Sequence, residues 1–230
     1  MCQESEPYTP YRLIDTTCKD VSQVKIVEFD AQEHPTQYAC VSHCWGQTRS
    51  KHTTKQSTIE ANLKGITVSE LPKTFQDAID IARKLEVRYI WIDSLCIVQD
   101  SASDWERHVS EMAHIYRNGV LTLAAGASSN DDGGFFAEVP DNWRSQYKAQ
   151  LDDGESQYEL HYRHMVDHPD AIQEGGKEVL PLMRRGWCFQ ERLLSKRYLC
   201  FGSKEVLWEC VEDVACSCCV GDSSFSRSIS

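Results

Sequence analysis

The chain has 230 residues, 41% of them hydrophobic and 26% charged, a balance that marks a folded globular protein and excludes a disordered one. With 35 acidic residues against 24 basic, the formal net charge is −11, so a general nucleic-acid-binding or anionic-membrane surface is disfavoured by repulsion. No apolar run approaches the ~20 residues that cross a bilayer.

The polar, acidic start MCQESEPYTP reads as neither a secretory signal nor a transit peptide. The 11 cysteines are odd in number and scattered, and several sit inside apolar runs. Mostly free, buried thiols in a reducing, cytoplasmic compartment are expected.

Residues 1–37 read as an N-terminal extension holding one strand, VSQVKIVEF. YACVS (38–42) is a short buried strand that runs out at Gly46, and QTRSKHTTKQST after it is an exposed loop. In LPKTFQDAIDIARKLEV, Phe75, Ala78, Ile79, Ala82 and Leu85 recur at helical spacing, with Pro72 in the first turn. RYIWID is the next strand. That order, strand then crossover helix then strand, predicts a parallel sheet with helices packed on it.

SLCIVQDSAS is a loop, after which Ser103 and Glu106 form an S-x-x-E capping box. The helix it opens has Trp105, Val109, Met112 and Tyr116 as its buried stripe and stops at Gly119. VLTLAA (120–125) is a further buried strand. The remainder is a less regular α+β part. SSNDDGGFF is a loop, SQYELHYRH alternates weakly as a strand, and RRGWCFQERLLS puts Trp187, Gln190, Leu193 and Leu194 on one helical face. RYLCF and EVLWEC, joined by GSK, read as a β-hairpin. Residues 38–210 are expected to form one domain, and 211–230 a loose Cys- and Ser-rich tail.

Metal ligation is not expected. C-x5-C-x-C-C at Cys210, Cys216, Cys218 and Cys219 lacks the paired knuckles of structural zinc sites, and HYRHMVDHPD, with His161, His164 and His168, lacks apolar backing. A cysteine nucleophile at Cys44 or Cys96 would need a histidine in space, which adjacency to His43 on a strand does not provide. Phosphate-cradling glycine loops are absent.

A rim pocket remains. In open α/β sheets ligands bind beyond the carboxyl ends of the strands, where SHCWG and Asp93–Asp100 both lie. Ser42, His43, Trp45, Asp93 and Gln99 would gather there, with Trp45 as a stacking face. Against this stands the reading that Trp45 and Trp105 are core and Glu106 only caps its helix. Arg185 likewise has two readings: it reaches the rim and binds a phosphate, or it pairs with Glu191 to fix its own segment.

Three blocks in order, YACVSHCWG, RYIWIDSLCIVQDSASDWERHVSEMAHIYRNG and RRGWCFQERLLSKR, resemble the fungal heterokaryon incompatibility (HET) domain. Val98, Cys188 and Gly119 stand where that family usually carries asparagine, threonine and alanine. The resemblance implies a TIR-like, flavodoxin-like parallel sheet and a role in non-self recognition and programmed cell death. By its TIR kinship it also implies an NAD hydrolase that cleaves the nicotinamide–ribose bond, with NAD as substrate and no cofactor. Under that implication Glu106 is the first candidate for the catalytic carboxylate, Glu111 the second and Asp93 the third. Ser42, His43, Trp45, Gln99 and Arg185 would bind the substrate. The alternative is a non-catalytic module that acts by self-association, as a homo-oligomer, or by binding a protein partner in incompatibility signalling. Nucleic acid and a membrane span are not expected.

Overall fold

The computed structural model describes residues 8–30, 37–46, 52–138, 147–152, 157–162 and 180–217. The chain enters through β1 (Arg12–Asp15) and β2 (Gln23–Glu28), which pair antiparallel, Leu13 opposite Val27 and Ile14 opposite Ile26. β3 (Tyr38–Ser42) is buried at every residue, as its unbroken YACVS run requires of a strand covered on both faces. α1 (Ile59–Lys64) and the short β4 (Ile66–Thr67) lead into α2 (Lys73–Lys84), which buries Phe75, Ala78, Ile79 and Ala82. Leu85, expected on that stripe, is 49% exposed, because the helix ends at Lys84 and Leu85 is already its cap.

β5 (Tyr89–Trp91) is followed by one helical turn, α3 (Asp93–Cys96), then α4 (Ala102–Asn118) and β6 (Leu121–Ala124). The cap of α4 is Ser101, whose hydroxyl accepts from the Asp104 amide at 3.4 Å. The expected Ser103–Glu106 box does not form, and Glu106 is exposed. A separate antiparallel pair, β7 (Tyr147–Asp152) and β8 (Gln157–Tyr162), comes next. A 3-10 turn at Pro181–Arg184 precedes α5 (Gly186–Leu194), and β9 (Arg197–Phe201), β10 (Val206–Cys210) and β11 (Val214–Cys216) finish the described chain. The β9–β10 hairpin is antiparallel, with Trp208 opposite Leu199.

The eleven strands of the described residues thus divide into a nine-stranded sheet, ordered β11-β10-β9-β6-β3-β5-β1-β2-β4, and the β7–β8 pair. Its centre, β9-β6-β3-β5, is parallel, and both flanks are antiparallel. The molecule is a mixed α/β structure with helices flanking the sheet. Residues 12–28 and 214–216 are built into that sheet, although the first were read as an extension and the second as part of a loose tail. The tail residues 218–230, and His164 and His168, lie outside the described residues. From β3 the chain crosses to β5 on one side, and from β5 through α4 to β6 on the other. A crevice opens at the carboxyl ends of the strands where connections diverge in this way.

One apolar cluster, which includes Phe75, Ile79, Trp91, Tyr116 and Phe135, fills the space around the central strands. A smaller one joins Cys44, Leu182, Cys188, Tyr198 and Cys200 beneath α5. Seven described cysteines are free thiols, and Cys216 is disulfide-bonded. No helix among the described residues is long and apolar enough to cross a membrane.

The amino-terminal strand is locked to the site-bearing half by a buried ion pair. One Arg12 nitrogen reaches both Asp104 oxygens at 2.8 Å and the Cys96 carbonyl at 3.3 Å, while Nε donates to Glu28 at 2.9 Å. Asp104 in turn accepts from the Val98 amide at 2.7 Å. Arg12→Ala leaves that carboxylate without its cation and is expected to cost about 3–5 kcal/mol in chemical denaturation. Arg12→Met with Asp104→Leu is expected to recover most of the loss. A cost below about 1 kcal/mol for Arg12→Ala, the level of exposed pairs, would show that the pair holds nothing together.

Candidate functional site

Ser42 ends the buried β3, and its own side chain is 1% exposed, so its hydroxyl must find a partner inside the protein. It donates to the Glu191 carboxylate in a short hydrogen bond that spans 149 positions of sequence. Glu191 lies on the inner face of α5, one turn from Cys188, and these two are the buried residues of that helix. Burial pushes the Glu191 carboxyl up to about 7, a rise that nearby Asp93 reinforces and that Ser42, Arg185 and the Tyr116 hydroxyl oppose. At neutral pH the group is therefore poised between its two protonation states.

Glu191 forms part of the lining of a cleft of about 150 Å³. The loop after β3 contributes Trp45, and the turn after β5 contributes Asp93, Ile97 and Gln99. α4 adds Trp105, Val109 and Met112, while α5 and its approach add Arg185 and Trp187. Trp105 is 51% and Trp187 58% exposed; of the stripe expected to bury α4, Tyr116 is buried in the core while Trp105, Val109 and Met112 wall the opening. Trp45 is fixed, since its indole Nε1–H donates to Asp93 Oδ2 at 2.9 Å. Asp93 Oδ1 accepts from the Ser94 amide at 2.7 Å and lies 3.9 Å from His43 Nδ1. Gln99 spends its amide N–H groups on the carbonyls of Asp93 and Ile97, at 3.0 and 3.2 Å.

A larger cleft of about 820 Å³ shares Trp45 and Arg185 with the small one. Its far side is the loop after β6, through Ser129, Asn130, Asp131 and Asp132, and its near side runs from Pro181 to Arg185. That loop is anchored to α2: Thr74 Oγ1 accepts from the Gly134 amide at 3.1 Å, and Asp77 Oδ2 from the Phe135 amide at 3.0 Å. Gly134 has φ +74°, and a Cβ there would stand 2.6 Å from Asp77 Oδ2, so the anchor needs glycine.

Trp45, Asp93, Gln99 and Arg185 thus line one cleft. Ser42 and His43 lie underneath, buried, and act on the clefts through others. The His43 carbonyl accepts from Arg185 at 2.6 Å, and burial pulls the His43 imidazole below its ordinary value, keeping it neutral. Arg185 makes no ion pair with Glu191, the pairing that one reading proposed. Glu106 is exposed and absent from both linings, and Glu111 is engaged elsewhere, accepting from the Tyr8 hydroxyl at 2.7 Å.

Glu191 was missed as a site residue for a geometric reason. The face chosen for α5 was Trp187, Gln190, Leu193 and Leu194, but Trp187 and Leu193 are 58% and 68% exposed. The helix is rotated to bury Cys188 and Glu191, and a signal existed in the i, i+3 spacing of those two. Cysteine chemistry gains no support: burial raises the thiols of Cys44, Cys96 and Cys188, the last two to about 12, which holds them as unreactive thiols. Among the described residues no group of three or more His, Cys, Asp or Glu side chains is placed to hold a metal ion.

No curated protein and no solved structure gives a significant match to the chain. The family described as heterokaryon incompatibility protein (HET) matches residues 38–191. That span runs from the first residue of β3 to Glu191 and so includes both Ser42 and Glu191. The chain belongs to the heterokaryon incompatibility (HET) family.

Proposed function

We propose that this chain is an effector of heterokaryon incompatibility that promotes cell death in fungal non-self recognition by hydrolysing NAD at the nicotinamide–ribose bond. The observation that carries the reading is a buried carboxylate of raised pKa, Glu191, set in a cleft walled by three tryptophans. The parallel centre of the sheet, with the clefts at its carboxyl edge, suits a TIR-like relationship. The free, mostly buried thiols suit a cytoplasmic setting.

The chemistry follows from charge. Nicotinamide in NAD is a pyridinium cation, and an indole face attracts a cation at close range. Trp45, held edge-on by Asp93, and the exposed faces of Trp105 and Trp187 supply such surfaces. As the C1′–N bond breaks, its electron pair leaves with the nicotinamide nitrogen and positive charge moves to the ribose. Ionised Glu191 stabilises that oxocarbenium-like charge. Water then adds to C1′, and the proton it loses passes to the carboxylate and on to solvent. Asp93 orients Trp45 and contributes a second negative charge. NAD serves as substrate, and no further cofactor enters.

A second reading is favoured by a different observation. On the outer face of α5, Phe189 and Leu193 are 66% and 68% exposed, as expected of a module that acts by self-association or by binding a protein partner. Death that persists in Glu191→Gln cells with undiminished NAD would select that reading.

Three outcomes test the hydrolase. Glu191→Gln is expected to lower NAD turnover by the purified chain at least about 100-fold, while exposed Glu106→Ala stays within about twofold; equal losses, or none, would sink the role of Glu191. Because the ionised form works, kcat/KM should rise with pH and level off above about 7. Ser42→Ala removes a hydrogen bond that lowers this pKa, so the rise should move to higher pH, and an unmoved profile would refute the coupling.

Stability should change in the opposite sense. A carboxyl raised from its ordinary 4.5 to about 7 contributes stability that is complete below pH 4.5 and lost as pH climbs through 7. Glu191→Gln should therefore melt higher than the parent at pH 8, by up to about 3 kcal/mol, and gain little at pH 5.

A further inference from the structure

The small cleft is too small to be a whole binding site. At about 150 Å³ it falls below the roughly 300–1,000 Å³ that ligand pockets occupy. The cleft beside it, at about 820 Å³, lies inside that range. Trp45 and Arg185 belong to both, so a ligand that passes over them enters both.

The larger cleft has a polarity of its own. Arg184 and Arg185 both line it, and Arg185 lines the small cleft as well; Arg184 is exposed, with no ion-pair partner among the described residues. Two arginines on a chain of net charge −11 give this cleft a cationic side, whose guanidinium forks suit phosphate oxygens, while Asp131 and Asp132 also line it. Asp131 lines the same cleft. It is 7% exposed, and its Oδ2 is buried without a hydrogen-bond partner. A buried carboxylate oxygen left unpaired is costly, and a donor supplied by a ligand relieves that cost. Paired hydroxyls, such as those of a ribose, are such donors.

We propose that the larger cleft takes an adenosine diphosphate moiety, with the diphosphate on Arg184 and Arg185 and the ribose hydroxyls donating to Asp131. The assignment rests on the hydrolase reading above for what occupies the small cleft, and it defines the substrate class further. The chain acts on diphosphate-bridged dinucleotides rather than mononucleotides, because only the former fill both clefts. It also prefers NAD to NADP, because a 2′-phosphate would remove a hydroxyl donor and set an anion against Asp131.

Calorimetric titration of the full chain with ADP tests the cleft without any turnover. ADP should bind, and Arg184→Ala should weaken it at least about tenfold, the usual worth of a charged hydrogen bond. Nicotinamide release from NAD, NADP and nicotinamide mononucleotide is then measured in parallel. NAD should be favoured over both others by about tenfold or more, and Asp131→Asn should narrow the gap between NAD and NADP. Absence of ADP binding, or equal kcat/KM for all three substrates, overturns the assignment. ADP binding that Arg184→Ala weakens, with no nicotinamide released from any substrate, upholds the cleft and overturns the hydrolase reading instead.

Discussion

The hydrogen bond between Ser42 and Glu191 is the contact on which the architecture turns. β3 lies at the centre of the sheet and is buried throughout, so whatever polar group ends it must be satisfied from above. Only a residue carried back over the carboxyl edge of the sheet can do that, and α5 is the element that returns there. Bringing Glu191 to Ser42 draws Arg185 onto the His43 carbonyl and Trp187 to the mouth of the small cleft. The two clefts exist because α5 is seated at that point.

This seat is not optimised for stability. A carboxylate removed from water and held by one serine hydroxyl costs free energy that an apolar residue would not. Two other buried carboxylates are treated differently. Asp104 has one Arg12 nitrogen on both its oxygens and a backbone amide, and Asp15 has Arg88 and the Thr17 amide, which hold its carboxyl below the usual range. Glu191 sits 8% exposed with no such cation bound to it. Places where a fold accepts an uncompensated charge are where chemistry is expected.

Around that carboxylate, rigidity and openness are divided between elements. Trp45 is tied to Asp93, Asp93 to the first turn of α3, and the loop after β5 to Arg12 through Asp104 and the Cys96 carbonyl. The loop after β6 is bolted to α2 through Thr74 and Asp77. By contrast Trp105 and Trp187 keep half or more of their surface in solvent. A preformed floor with exposed aromatic walls suits capture of a flat ring from solution.

The sequence by itself determined the α/β class, because the apolar runs of β3, β5 and β6 and the 3.6-residue period of α2 are local signals. It also placed Trp45, Asp93 and Gln99 at one edge, since loops after parallel strands share an end of the sheet, and it left Arg185 between that edge and a pairing with Glu191. Where periodicity was ambiguous the reading failed. Trp105 and Trp187 were taken for core because large aromatics usually are, and burial against solvent is not written in the residue type. The polar residue Glu191, conversely, entered only as a partner of Arg185. The tertiary structure alone decided which face of α5 turns inward, and with it which glutamate meets Ser42. That choice is made by contacts between residues some 149 positions apart, whose energies no local pattern encodes.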